Sequence, residues 1–406
     1  MTIPTLEWKP GFAKLEWEDK QVIMVMTRFS EESRRVYAYT CVGNTTSNSA
    51  RHLHEGDLIL TSTRDKGVLA KHLATIRTDI ALVDWQTMIE QACVMVLRKH
   101  MAGEPIVRVG NLPTPERPRW QLWPMMPMGD CTLLFGEGGV GKSLFGIAAG
   151  LAIQTGWTGL KLAPHIGNVL CLDWETSDEV VNERIKAIKK GAGLEESTLY
   201  YRYCTQSLSR SLPQIYADIA EKAITFVIID SAIAALGSET RDPATSASEM
   251  FNSLRAARVS SLVITHTSKE QMGHKTPYGS VFFYNRARSV WEMRKSQSPG
   301  EDTVNVALFH RKSNTSKLWH PLGYQIEFVG DDEIRFTSTE ISQMPGLEAG
   351  LPLRQRILAL LEDGPFSTKA IAEALGAPLT QVSVRLSELR KAGKIGRDEE
   401  DEWTLA

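Results

Sequence analysis

Residues 136–143 read Gly136, Glu137, Gly138, Gly139, Val140, Gly141, Lys142, Ser143, the spacing G-x-x-x-x-G-K-[ST] of a loop that wraps phosphate. Glycines let consecutive N–H groups close on an anion, and the helix that opens at Lys142, Ser143 and Leu144 adds the positive end of its dipole. Lys142 then neutralises β/γ-phosphate oxygens and Ser143 ligates a cation, so ATP and Mg²⁺ are the implied pair. Asp230 closes the apolar run ITFVIID (224–230) ahead of Ser231, the place of a carboxylate that orders Mg²⁺ through water. Between these motifs NVLCLDWE (168–175) ends in Asp173 and Glu175. A carboxylate at the end of a strand beside the phosphate-loop strand can polarise water in line with the γ-phosphate. Glu175 is assigned that role ahead of Asp173, although two residues apart on one strand they share a face; the plain alternative is two solvated strand-end acids. His266 closes SSLVITH (260–266), at the strand end where α/β sheets bind ligands. It is read as a γ-phosphate sensor coupled to the loop that follows, against the default of a satisfied core histidine.

A second group is basic. Residues 269–317 hold nine Lys or Arg against four Asp or Glu, an excess in a chain of net charge −2. A solvated charged face is the ordinary explanation. The functional one puts Lys269 and Lys275, with Arg286 and Arg288, against a nucleic-acid backbone, and makes Arg311 and Lys312 cationic fingers reaching a neighbouring subunit's ATP.

These groups need elements to carry them. CTLLF (131–135), 168–174, 224–230 and 260–266 are apolar runs of strand length. They alternate with helical patterns from Lys142, over 177–192 and over 246–258, which implies a parallel sheet with helices on both faces. Runs at 287–294, 303–311 and 324–328 read as later strands, antiparallel at the sheet edge. Residues 1–102 read as a small α+β unit: strands at 22–29, 36–42 and 57–63, helices at 66–76 and 82–100. His52 and His54 there lack a third metal ligand and are taken as packing residues. Six prolines between 103 and 128 make a linker or strap, whose Trp120, Trp123, Met125 and Met126 are apolar enough to lie on the next domain, 129–340. In 341–406, three helices (354–361, 368–375, 380–391), capped by Ser367 or Thr368 and by Thr380 and stopped by Gly376 and Gly393, precede a short strand pair around Lys394 and Trp403. That is a winged-helix arrangement. Its third helix offers Arg385 and Arg390 to DNA, while the acidic run 398–402 sits in the wing and favours protein docking or ring packing.

Composition bounds the rest. With 406 residues, 42% hydrophobic and 23% charged, the chain is expected to fold into two or three domains. No apolar run reaches membrane-spanning length, and five scattered cysteines suggest a reducing, cytoplasmic setting without a disulfide framework.

Taken in order, GEGGVGKS, LCLDWE with the helix bearing Arg184, FVIIDS, VITHTSK, GSVFFYNRARSVWEMRK and FHRKSNTS resemble the RecA-like ATPases of the plasmid RepA and phage replicative-helicase type. The resemblance spans about 210 residues, 129–336. It implies a homo-oligomeric, hexameric ring with ATP between subunits, single-stranded DNA in the channel, 5′-to-3′ translocation, and a primase or loader as companion. It supports the roles given to Lys142, Ser143, Glu175, Asp230 and His266. Rivals are a recombination ATPase built on the same core, an ATP-gated winged-helix regulator that binds duplex DNA, and, less favoured, a small-molecule kinase.

Overall fold

The computed structural model describes residues 3–9, 11–44, 52–76, 83–103, 106, 108–111, 119–195, 197–237, 243–267, 281–344 and 346–406. Strands β1 (Thr5–Lys9), β2 (Phe12–Trp17), β3 (Val22–Glu32), β4 (Arg35–Asn44) and β5 (His52–Ile59) form an antiparallel meander. Alternation drives it: Ala13, Leu15 and Trp17, then Val22, Met24 and Met26, are buried on one face. That face is covered by α1 (Thr63–Ile76) and α2 (Trp85–Ala102), whose Leu69, Leu73, Met88, Ile89, Ala92 and Val96 repeat at helical spacing. Asp84 caps α2, accepting from the Thr87 N–H at 3.1 Å. The sequence reading missed β1 and β2, whose apolar residues alternate with Lys and Glu.

The strap folds onto the next unit. Strand β6 (Trp120–Trp123) pairs with β7 (Met126–Pro127) and, further along the chain, with β9 (Ala163–Pro164). Leu122, Met125 and Met126 are buried in the core. Gln121 donates to the His165 carbonyl (2.7 Å), and the Ser260 and Ser289 hydroxyls bond Gln121 Oε1 (3.3 Å) and the Met125 carbonyl (2.9 Å).

The central sheet is built from β8 (Cys131–Gly136), α3 (Lys142–Thr155), β10 (Asn168–Asp173), α4 (Asp178–Ala192), β11 (Tyr200–Tyr203), α5 (Leu208–Glu221), β12 (Ile224–Asp230), α6 (Ala232–Leu236), α7 (Pro243–Ala256), β13 (Ser260–His266), α8 (Val281–Arg286), β14 (Ser289–Ser296), β15 (Thr303–Ser313), β16 (Leu322–Val329) and β17 (Glu333–Ser338). The strand order is β11-β10-β12-β13-β8-β14-β15-β16-β17. Helices α3 and α4 bury one face and α5 to α8 the other. Two sequence expectations are corrected. Strand β14 pairs parallel to β8, and the antiparallel part begins only at β15. The strand leading to Glu175, β10, does not adjoin the phosphate-loop strand; β12 and β13 lie between them. The right-handed crossover through α3 skips two places, which later strands fill.

At the C-terminus, α9 (Leu353–Leu360), α10 (Thr368–Leu375), α11 (Leu379–Lys391) and the hairpin β18 (Ile395–Arg397) with β19 (Trp403–Leu405) enclose a core of Ile357, Ile371, Val382, Leu386, Leu389 and Trp403. Ser367 caps α10, accepting from Ala370 N–H at 3.2 Å, and Gly376 ends it in the left-handed region. Thr380 is not a cap: α11 starts at Leu379 behind Pro378, whose fixed φ of −57° presets the entry. Residues 341–351 belong to neither set of helices. Ile341, Met344 and Leu347 pack on Ala307 and Phe309 of β15.

Candidate nucleotide site

Strand β8 is buried along its length and delivers Gly136 to the sheet's C-terminal edge. A Cβ on Gly136 would stand 2.4 Å from the Met293 carbonyl of β14, so only glycine lets the loop leave the sheet there. Gly139 (φ +69°) and Gly141 (φ +93°) supply the left-handed turns, and Gly141 caps α3. Helix α3 is buried nearly all round, because its Gly146 and Gly150 bring it within 3.1 Å of Ile264 and Ile228 by the positions a Cβ would take. Its N-terminal N–H groups are thereby aimed at the loop's concavity.

Lys142 is 5% exposed, and its Nζ donates to the carbonyls of Gly136 (3.0 Å) and Glu137 (2.7 Å). Burial lowers its pKa, while the carboxylates of Asp230, Glu175 and Glu137 act the other way. Ser143 hydrogen-bonds the Asp230 carboxylate. Asp230 ends β12 directly beside Asp173 at the end of β10. Burial, then the neighbouring Asp173 and Glu175, push the Asp230 carboxyl up to about 6. A hard-oxygen set of one hydroxyl and one carboxylate, crowded by further negative charge, fits Mg²⁺, whose charge would relieve the crowding.

Asp173 and Glu175 separate cleanly. The strand stops at Asp173, which is 2% exposed and accepts from the backbone N–H of Glu175 (2.7 Å) and Thr176 (3.0 Å). Burial raises its pKa. Asp173 therefore shapes the turn, and Glu175 projects from it into a cleft of about 350 Å³, where the Ser231 hydroxyl donates to its Oε1. The Asp230–Ser231 peptide is cis. His266 stands opposite Gly136 in the β13–β8 register and also lines the cleft, with Gly139, Gly141, Lys142, Ser143, Leu144, Asp230 and Ile264. Val140 is buried in the core instead, and Glu137 contributes its carbonyl.

Four lining residues escaped the sequence reading as site residues: Arg184 of α4, Ile264 of β13, Phe328 of β16 and Ile334 of β17. Arg184 had a signal in its place within an ordered motif; Phe328 and Ile334 arrive through folding of distant strands and had none.

The remaining expected residues lie elsewhere. Lys312 is no free cation: its Nζ donates to the carbonyls of Tyr284 (2.9 Å), Asn285 (2.8 Å) and Ala287 (3.0 Å), closing the C-terminus of α8. Arg311 is held by Glu292, Nε to Oε2 at 2.8 Å. The Arg286 carbonyl accepts from Arg255 (2.7 Å), and exposed Arg288 lies 3.9 Å from Asp130 at the opposite sheet edge. Lys269 and Lys275 fall outside the described residues. On α11, Arg385 is paired with Glu388 at 2.7 Å, whereas Arg390 is exposed.

A profile of the AAA domain matches residues 100–272, and one of the helix-turn-helix domain matches residues 351–393. No curated protein matches the chain. Among solved structures, a KaiC-like protein from the hyperthermophilic archaeon Pyrococcus horikoshii is 17% identical, over 52% of this chain and 90% of its own, with a TM-score of 0.38. The AAA match, the strand order and the phosphate loop together make residues 129–338 a RecA-like P-loop ATPase core, preceded by a small α+β unit and followed by a winged helix.

Proposed function

We propose that the chain is an ATP-hydrolysing motor driven along single-stranded DNA, and specifically a hexameric replicative helicase of phage or plasmid type. The observation that carries this is the meeting of Lys142, Ser143, Glu175, Asp230 and His266 in one cleft, delivered from three strand ends and a helix start. Lys142 leaves its loop carbonyls for the phosphates. Ser143 and Asp230 would hold Mg²⁺, which would supply neutralisation of phosphate charge. Glu175, fixed by the Asp173-braced turn and the Ser231 hydroxyl, takes a proton from the attacking water. Phe328 and Ile334 form an apolar wall for the base or ribose. His266 senses the γ-phosphate and moves the Lys269–Lys275 loop, which lies outside the described residues. Of the two finger candidates Arg311 is the better, because Lys312 is committed to three carbonyls at the C-terminal end of α8, those of Tyr284, Asn285 and Ala287.

Glu175→Gln should cut ATP turnover by roughly a hundredfold or more while nucleotide still binds, measured by steady-state hydrolysis and by binding of a fluorescent ATP analogue. The wild type should be stimulated by single-stranded DNA and open a forked duplex. Full-rate hydrolysis by a monomer indifferent to DNA would overturn the motor reading.

A second reading, an ATP-gated regulator, draws on the helix-turn-helix match and on the exposed Thr380, Gln381 and Arg390 of α11. Sequence-specific duplex binding without unwinding decides for it.

A further inference from the structure

Three stretches of chain meet at the edge of the central sheet opposite the nucleotide cleft. The strap, 119–128, enters β8 from that side, and the segment 156–167, with β9, leads into β10. The loop 314–321 leaves β15 at Ser313, which pairs with Ser289, the first residue of β14. Together the three stretches hold four of the ten tryptophans, with Arg119, Lys161 and Lys317, and not one Asp or Glu. In a chain of net charge −2, that is a local surface suited to an aromatic anion rather than to another mixed-charge face.

Packing fixes one of these tryptophans in the open. Leu122 and Pro124, on either side of Trp123, are buried, and the β6–β9 ladder pairs Trp123 with Ala163. The Trp319 ring meets the Trp123 ring in a T, centroids 5.0 Å apart and planes at 74°. A T-shaped contact takes at most one face of a ring, and the Trp123 indole remains 41% exposed. Trp319 is anchored in turn: its backbone N–H donates to His310 Nδ1 (3.0 Å), and Lys317 Nζ lies 5.2 Å from its ring centroid. Lys317, Lys161 and Arg119 are exposed, and among the described residues none of the three is ion-paired, unlike Arg311 and Arg385, which carboxylates hold. A fixed indole flanked by unneutralised cations matches an unpaired base and its phosphates, because the base stacks on the ring and the lysines meet the backbone. In a duplex both faces of a base are already covered, so the match is to a single strand. The ring is held before any ligand arrives, so little freedom is lost on binding.

We propose that Trp123, buttressed by Trp319 and flanked by Lys161 and Lys317, is a stacking site for single-stranded nucleic acid at the N-terminal edge of the parallel strands. It goes beyond the motor reading, which gives DNA to the loop after His266 at the other edge of the sheet, and it needs no ATP.

The test uses the full chain without nucleotide and reads the anisotropy of fluorescein-labelled oligothymidine, oligouridine and a blunt duplex. Trp123→Ala should weaken the better-bound single strand by about tenfold, and Trp123→Phe should keep most of the affinity. Lys317→Ala should flatten the plot of log affinity against log salt by roughly 0.7. Duplex affinity should stay at the wild-type value in all three. Iodouracil placed in the single strand should photo-cross-link to residues 119–128 or 314–321, identified by mass spectrometry. ATP turnover without DNA should be unchanged, since none of these residues lines the cleft. Should Trp123→Ala not fold, the Lys317→Ala slope and the cross-link decide. Wild-type affinity in Trp123→Ala, or cross-links confined to other segments, overturns the stacking site and leaves the motor reading standing. So does a Trp123→Ala chain whose mass by light scattering falls while its oligonucleotide affinity holds, which would make the patch a protein interface. Trp123-dependent binding in a wild type whose ATP turnover no single strand stimulates upholds the site and overturns the motor. A wild type that binds neither single strand overturns both.

Discussion

His310 shows how a single side chain can be tied into a fold at several points. It is 6% exposed and stacks on Trp291 at 4.3 Å. Its Nδ1 accepts from the Trp319 N–H at 3.0 Å, while Nε2 faces the Ser289 hydroxyl at 3.4 Å. That hydroxyl donates to the strap carbonyl of Met125 and accepts from Trp291 Nε1. Both ring nitrogens are thus spoken for in the neutral form, and burial lowers the pKa from 6.5 to about 4. The unfolded chain therefore binds more protons than the folded one between pH 6.5 and about 4. Stability should be unaffected by this group above that window and fall by about 3 kcal/mol as pH drops through it. Unfolding followed by tryptophan fluorescence should show this slope, and His310→Gln should flatten it. None of this was visible in FHRKSNTS, where the eye goes to Arg311 and Lys312. A contiguous motif announces Lys142 and Ser143, but the partners that settle His310 and Lys312 come from elsewhere in the chain, from β14 and Trp319 for the one and from the end of α8 for the other.

At the level of elements, the alternating β and α pattern was legible because the central strands β8, β10, β12 and β13 are largely apolar runs. Strand β11 (YYRY) and helix α5 were not, since β11 is an exposed edge and α5 follows it without a capping bond from its Ser207. The order of strands was also beyond periodicity, which says what an element is and not what it lies beside. One element contact governs the cleft's far wall. Gly191, in the last turn of α4, approaches β17 so closely that a Cβ would lie 2.1 Å from the Ile334 carbonyl. Glycine is costly in a helix, and its presence here lets α4 seat Arg184 and Ile334 at the same cleft. Gly191→Ala should push α4 outward, costing about 1–3 kcal/mol and raising the KM for ATP more than it lowers kcat. A melting curve with steady-state kinetics checks both; an unchanged KM would detach α4 from the site.

Among the described residues no helix is long and apolar enough to cross a membrane. The winged helix presents an unusual surface for a phosphate backbone. Its wing carries the acids 398–402, with Asp401 paired to Arg397 at 2.7 Å, and Arg385 is already neutralised by Glu388. Replacing Glu399 and Glu400 by Gln should raise affinity for duplex DNA several-fold at low salt, with a smaller gain at high salt. Fluorescence anisotropy at two ionic strengths measures it. No change at either would mean that the wing stays clear of the duplex.

The strap has a mechanical meaning. Bonded through Gln121, Ser260 and Ser289 to β13 and β14, it is clamped to the same two strands that flank the phosphate loop. Loosening the strap at residues 119–128 would therefore be felt on both sides of the phosphate loop at once, as a slackened drawbar is felt at both shafts of a carriage.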